Sequence, residues 1–151
     1  MSFTHLHAKI DTIIKSNHST IEERLTQICE LLQSSINYYD WVGFYFANHQ
    51  NRTLHLKAFA GEATEHTVIP FGKGICGQVA LSNKNFVVAD VNAQNNYISC
   101  NINVKSEIVI PLFKDRENIG QIDIDSNTPD PFTKNDEDFL VWVNEQVATI
   151  L

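Results

Sequence analysis

Between Ser19 and Ile36 the apolar residues Ile21, Leu25, Ile28 and Leu32 recur every three or four positions. That spacing predicts an amphipathic helix. Ser19, followed three residues later by Glu22, reads as the capping box that starts it. Cys29 follows Leu25 by one turn, on the flank of the stripe, and is expected to be a small buried thiol. The period then changes. "DWVGFYFAN" and "TLHLKAFAG" are rich in aromatic and branched residues and predict two strands joined by the polar "HQNR". "HTVIPFGKG" predicts a short strand running into a glycine turn, "ICGQVALSN" a short helix and "FVVAD" another short strand. "VNAQNNYISCNINVKS" has no period and reads as a long loop, a class that often carries function. "EIVIPLFKDRENIGQIDIDS" predicts a hairpin turning near Asp115 to Asn118, with Pro111 marking a bulge or an unpaired edge. In "FTKNDEDFLVWVNEQVATIL" Thr133 and Asp136 resemble a cap, and Phe139, Leu140, Val143 and Val147 form an apolar helix face.

This order, helix, hairpin, crossover with loop, hairpin, helix, predicts an α+β fold. Its antiparallel sheet should carry the N- and C-terminal helices on one face and a loop-built pocket on the other. With 151 residues, one domain spanning 1–151 is expected, with 1–36 its N-terminal helical part and 40–151 the sheet, pocket loops and C-terminal helix. Eleven basic and eighteen acidic residues give a formal charge of −7, and no basic stripe appears. A nucleic-acid surface is therefore not expected. No apolar run approaches a membrane span, and "MSFTHLHAKIDTIIKS" lacks the pattern of a secretory signal. The expected setting is the cytoplasm. Three cysteines without a C-x-x-C motif argue against a disulfide framework or a zinc ribbon. His5, His7, His18, His49, His55 and His66 are scattered, the first two in a stretch expected to be loose, so no metal site is expected.

Several residues do not suit a featureless fold. In "GQIDIDS", Ile122 and Ile124 alternate with Asp123 and Asp125. On a strand the two aspartates share one face about 6.6 Å apart. They are either a solvated hairpin end or a carboxylate pair that binds an ammonium group or shares a proton. Glu107 opens an apolar strand directly after the long loop, where a carboxyl group can deliver a proton; an ordinary strand-starting acid is the alternative. Trp41, Gly43 and Tyr45 share a strand face, and two rings across a glycine leave a shallow slot for a methyl group or small ligand, unless they are plain core. Cys76 falls in the first turn of a helix, where backbone N–H groups and the helix dipole favour thiolate. Cys100 falls in the long loop among polar residues. Taken alone, each thiol reads as structural before reactive. "GKGICG" is not a phosphate loop, because G-x-x-x-x-G-K-[ST] is absent.

Taken together, "DWVGFY", "IPFGKGICGQVA", "YISC", "SEIVIPL", "IGQIDIDS" and "PFTKNDEDFL" resemble the free methionine-(R)-sulfoxide reductases, small GAF-domain proteins, from about Asp40 to the C-terminus. The resemblance implies a GAF-like fold and reduction of free methionine-(R)-sulfoxide. It places Cys100 at the catalytic position, Cys76 at a resolving position and Glu107 as the acid at the sulfoxide oxygen. Asp123 and Asp125 would meet the substrate ammonium, and Trp41 and Tyr45 would wall the methyl group. It implies no cofactor beyond an external dithiol such as thioredoxin, and a homodimer. His66 stands where many members carry a further cysteine, so either Cys76 pairs with Cys100 or Cys100 is reduced directly. Asn101 replaces a frequent Asp after the catalytic cysteine, which removes a negative neighbour from Cys100. The competing expectation is a non-catalytic GAF module that binds a small amino-acid-like ligand.

Overall fold

The computed structural model of the chain describes residues 3–94 and 103–151. In chain order the elements are α1 (Thr4–Ile14), α2 (Ile21–Ser35), β1 (Trp41–Asn48), β2 (Thr53–Ala60), β3 (Val68–Pro70) and α3 (Gly74–Ser82). They continue with β4 (Phe86–Val88), one 3-10 turn (Val91–Ala93), β5 (Ser106–Lys114), β6 (Glu117–Ser126) and α4 (Lys134–Ala148). The strands form one antiparallel sheet in the order β3-β2-β1-β6-β5-β4. The expected α+β layering is present. Helices α1, α2 and α4 bury Leu6, Ile10, Leu25, Ile28, Leu140 and Val143 against Val42, Phe44, Ile108, Ile110, Ile122 and Ile124 on one sheet face. On the opposite face α3 packs Ile75, Cys76 and Val79 against Tyr45, Leu54 and Val109.

Helix α1 falls in the expected N-terminal helical part, but it includes His5 and His7, whose stretch was expected to be loose. Leu6, Ile10 and Ile14 recur at i, i+4 and i+8, and all three are buried. Phe3 packs on Phe139, and the His7 ring stacks on Trp142 with centroids 4.0 Å apart, so the N-terminus is tied to α4. The capping box of α2 is also shifted by one residue. Thr20 Oγ1 accepts from the Glu23 N–H and Glu23 Oε1 from the Thr20 N–H, in place of Ser19 and Glu22. Ile21 is consequently exposed, whereas Leu25, Ile28 and Leu32 are buried as expected. Thr133 and Asp136 do cap α4. The Thr133 N–H donates to Asp136 Oδ2 at 2.8 Å, and the phenols of Tyr38 and Tyr39 both donate to Asp136 Oδ1 at 2.8 Å.

The β5–β6 hairpin turns at Asp115 and Arg116, both with positive φ (52° and 68°), the signature of a type I′ turn. Pro111 pairs in register with Gln121, and the register shift lies one position on, between Leu112 and Phe113. Strand β4 begins opposite Val109, so Pro111 lies beyond it on β5 and needs no N–H on that side.

Candidate active site

The pocket face of the sheet follows from strand alternation and register. One row runs Trp41, Asp125, Glu107, Val88 across β1, β6, β5 and β4. The next runs Gly43, Asp123, Val109, and the third Tyr45, Gln121, Pro111. Glu107 and Asp125 are thus directly opposed on neighbouring strands, and Asp123 lies one row away. Like charges so placed are destabilising, yet Glu107, Asp123 and Asp125 are 5%, 2% and 1% exposed. The solvated reading of the aspartates is excluded by that burial. A fold that places three carboxyl groups out of water needs protons, donors or a cationic ligand to offset them.

Helix α3 brings the thiol of Cys76 onto this cluster. Gly77 permits the approach: a Cβ there would lie 2.7 Å from the Pro70 carbonyl oxygen and 2.9 Å from the Gly72 nitrogen. Gln121 Nε2 donates to the Cys76 carbonyl at 3.0 Å and ties the first turn of α3 to the sheet. The Cys76 Sγ stands 3.8 Å from Glu107 Oε2, and Cys76 Sγ, a Glu107 oxygen and an Asp123 oxygen all lie within 4.8 Å of one another.

These surroundings reverse the expectation that the helix N-terminus favours thiolate at Cys76. Burial first, then the charges of Asp123 and Glu107, push its thiol well up. The Cys76 S–H is therefore a donor at neutral pH. Asp123 is also pushed up, chiefly by burial, while hydrogen bonds from Glu107 and Cys76 pull it the other way. Burial thus favours the neutral form of Asp123, and its Oδ1 has no hydrogen-bond partner among the described residues.

The aromatic slot differs from the sequence reading. Gly43 does not leave a gap between two rings, because the Trp41 ring folds over it; a Cβ there would come within 2.6 Å of Trp41 Cζ3. Trp41 Nε1 donates to the Glu62 carbonyl at 2.9 Å, and the Tyr45 hydroxyl donates to the His66 carbonyl at 2.8 Å. Tyr45, His66, Ile69, Lys73, Cys76, Glu107 and Asp123 line a cavity of about 10 Å³. A much larger groove of about 560 Å³ lies between α1 and α4, lined by His7, Phe139 and Trp142 among others, and holds no thiol or carboxylate cluster comparable to this one. Chemistry, not size, therefore marks the site.

Cys100 lies outside the described residues, and its distance from Cys76 with it. Cys29 is fully buried beneath the helices on the opposite sheet face, its thiol raised by burial, and is remote from the cluster in layer and in chemistry. Two residues at the site escaped the sequence reading, Gln121, which holds the Cys76 carbonyl, and Lys73, which lines the cavity. Gln121 continues the alternation of Asp123 and Asp125, and that period was its available signal. Lys73, exposed at the N-cap of α3, carries no pattern that separates it from an ordinary surface lysine.

The GAF-domain family profile matches residues 18–151. A free methionine-R-sulfoxide reductase of Escherichia coli (strain K12) is 33% identical over 127 residues, which is 84% of this chain and 75% of that protein. The fRMsr of Staphylococcus aureus in its reduced form superposes with a TM-score of 0.88 at 34% identity, covering 98% of this chain and 94% of that one. The free methionine-R-sulfoxide reductase of Neisseria meningitidis in complex with its substrate gives a TM-score of 0.87 at 31% identity, over 95% and 84% of the two chains.

Proposed function

The chain belongs to the GAF-domain family and, within it, to the free methionine-R-sulfoxide reductases, and we propose that it reduces free L-methionine-(R)-S-oxide to L-methionine by thiol chemistry. The observation that carries the proposal is the buried group of Cys76, Glu107 and Asp123, with the Asp123 carboxyl raised by burial. Sulfoxide oxygen leaves sulfur only as it gains a proton, and a carboxyl pair that holds one out of water supplies it.

In the proposed sequence the Cys100 thiolate attacks the sulfoxide sulfur, and the Glu107–Asp123 pair gives its proton to the sulfoxide oxygen. The oxygen passes to Cys100 as a sulfenic acid, and methionine leaves. Cys76, whose raised thiol needs a base, yields its proton to the newly ionised carboxyl pair. Its sulfur then displaces hydroxide from Cys100; with that proton the hydroxide departs as water and a Cys76–Cys100 disulfide remains. A dithiol of the thioredoxin class restores both thiols. The sum is sulfoxide plus two external thiols giving methionine, water and an external disulfide.

Asp123 and Asp125 would face the substrate ammonium, which explains restriction to the free amino acid: a residue within a peptide presents a neutral amide there. Trp41 and Tyr45 would bound the methyl side. A cavity of about 10 Å³ does not hold methionine sulfoxide, so binding requires its walls to part. Among the described residues no helix is long and apolar enough to cross a membrane. A cytoplasmic setting, where thiols stay reduced, and a homodimer complete the proposal; sedimentation of the purified chain tests the latter.

The test is methionine formed from the free (R)-sulfoxide and dithiothreitol, with Cys100→Ser, Cys76→Ser and a peptide-bound sulfoxide alongside. Cys100→Ser should abolish turnover. Cys76→Ser should fail with thioredoxin and keep partial turnover with the small dithiol. No methionine from the intact, fully reduced protein would overturn the enzyme and leave a ligand-binding GAF module.

A further inference from the structure

The site that would serve this chemistry is also a donor set for a metal. We propose that in the reduced protein Cys76, Glu107 and Asp123 bind one thiophilic divalent cation of the zinc class, with a fourth position left to water.

Geometry supports it. Zinc bound to sulfur at about 2.3 Å and to carboxylate oxygen at about 2.1 Å needs tetrahedral donor separations of about 3.4 to 3.6 Å. The Cys76 Sγ to Glu107 Oε2 distance of 3.8 Å is close to that value, and the three donors already lie within 4.8 Å of one another. Side-chain rotations of a few tenths of an ångström to about an ångström close the set. Asp123, 2% exposed, aims into the same space with Oδ1 lacking a hydrogen-bond partner among the described residues. A cation would supply that partner. The cavity these side chains line, about 10 Å³, has the capacity of one water-sized sphere. An ion fits it with those small rotations alone, where an amino acid does not.

Charge supports it too. With its thiol and both carboxyls ionised the set carries three negative charges, and a divalent cation reduces this to one. Binding displaces the thiol proton, and any proton the carboxyls hold, to solvent. Lys73 lines the same cavity, but its side chain is exposed and forms no ion pair among the described residues, so it does not neutralise the cluster. One thiolate with two carboxylates suits zinc, cobalt or cadmium over magnesium or calcium, which prefer all-oxygen sets. Three protein donors with an open fourth position match the reactive rather than the structural class of zinc site.

The experiment titrates the whole, phosphine-reduced, metal-stripped protein with Co²⁺ and follows the thiolate-to-cobalt charge-transfer band, which does not depend on sulfoxide reduction. The expected result is a band that saturates at one equivalent, is bleached by Zn²⁺ and persists in Cys100→Ser. It should vanish in Cys76→Ser. Glu107→Gln and Asp123→Asn, each checked for native circular dichroism, should weaken binding by more than about tenfold, since even outer-shell changes cost that much. No saturable band in the intact protein, a band that survives Cys76→Ser, or unchanged affinity in both folded carboxylate variants would each overturn the site.

Discussion

Replacing Asp123 by Asn should move stability and activity in opposite directions. In the folded chain Asp123 is 2% exposed, opposite Val109 on one strand and Gly43 on the other, with its carboxyl raised mainly by burial. At neutral pH such a group costs the native state free energy relative to the unfolded chain, where water solvates it. Asn keeps the shape, removes the charge, and offers an N–H that Glu107 can accept. The gain should be on the order of 1 kcal/mol, a rise in Tm of roughly 2–4 °C for a chain of this size. The same change deletes one buried anionic partner of the substrate ammonium. A hydrogen bond to a charged group is worth about 1.5–3 kcal/mol, so kcat/KM should fall by roughly 10- to 150-fold. Differential scanning calorimetry and methionine release from the free sulfoxide, on one preparation, read both quantities. A variant that loses several degrees of Tm while keeping its kcat/KM would refute the reasoning, because Asp123 would then be a structural carboxylate with its compensation elsewhere.

Leu6→Ala should cost about 2–5 kcal/mol in urea unfolding, since Leu6 is fully buried in the core beneath α1; a loss near zero would mean that α1 is not docked. Gly43→Ala should push the Trp41 ring off its seat and break the Nε1 bond to Glu62, at about 1–3 kcal/mol, with a changed near-ultraviolet circular dichroism; an unaltered spectrum would contradict the ring's position. Tyr39 has its phenol held well above its ordinary value, first by burial and then by Asp136. Its folded-state contribution is therefore full below pH about 10, the unfolded value, and is lost as pH rises above it toward the folded value. Tyr39→Phe should cost about 1 kcal/mol at pH 7 and flatten the alkaline limb of the stability curve; an unchanged limb would count against the phenol–Asp136 bond.

Much of the fold was legible because the chain announces its periods. The alternation in "GQIDIDS" assigned Ile122 and Ile124 to one face and Asp123 and Asp125 to the other before any sheet was drawn, and the helix stripe of Leu25, Ile28 and Leu32 is buried as its spacing required. Helix α1 was legible too, in Leu6, Ile10 and Ile14, but a short stripe without a capping signal was passed over; Phe3 accepts no side-chain cap bond. What the sequence hid is proximity. Cys76, Glu107 and Asp123 are separated by 31 and 16 positions, and no local pattern says that α3 lays its first turn on the carboxylates. The state of Cys76 was misjudged for the same reason: the helix dipole is local and visible, whereas burial among three acids is tertiary.

The pairing of Glu107 with Asp125 turns on a single extra residue. At the hairpin end Lys114 faces Glu117 and Phe113 faces Asn118. Were that register continued, each residue of β5 would meet the partner whose number makes the same sum, and Glu107 would stand opposite Ile124. Its carboxyl would then share a face with the helix-side core. Instead Leu112 faces Gly120, with Ile119 as the inserted residue, and from there Glu107 meets Asp125 and Val109 meets Asp123. A shift of one residue exchanges the two faces of a strand. Asn118 sustains the irregularity: its Oδ1 accepts from the Gly120 N–H at 3.1 Å and its Nδ2 donates to Asn83 at 3.0 Å. Gly120 itself has no room for a Cβ against the Tyr45 carbonyl. The acid cluster thus depends on a bulge near the far end of the hairpin, and "ENIGQ" belongs to the construction of the site although none of its residues lines the cavity.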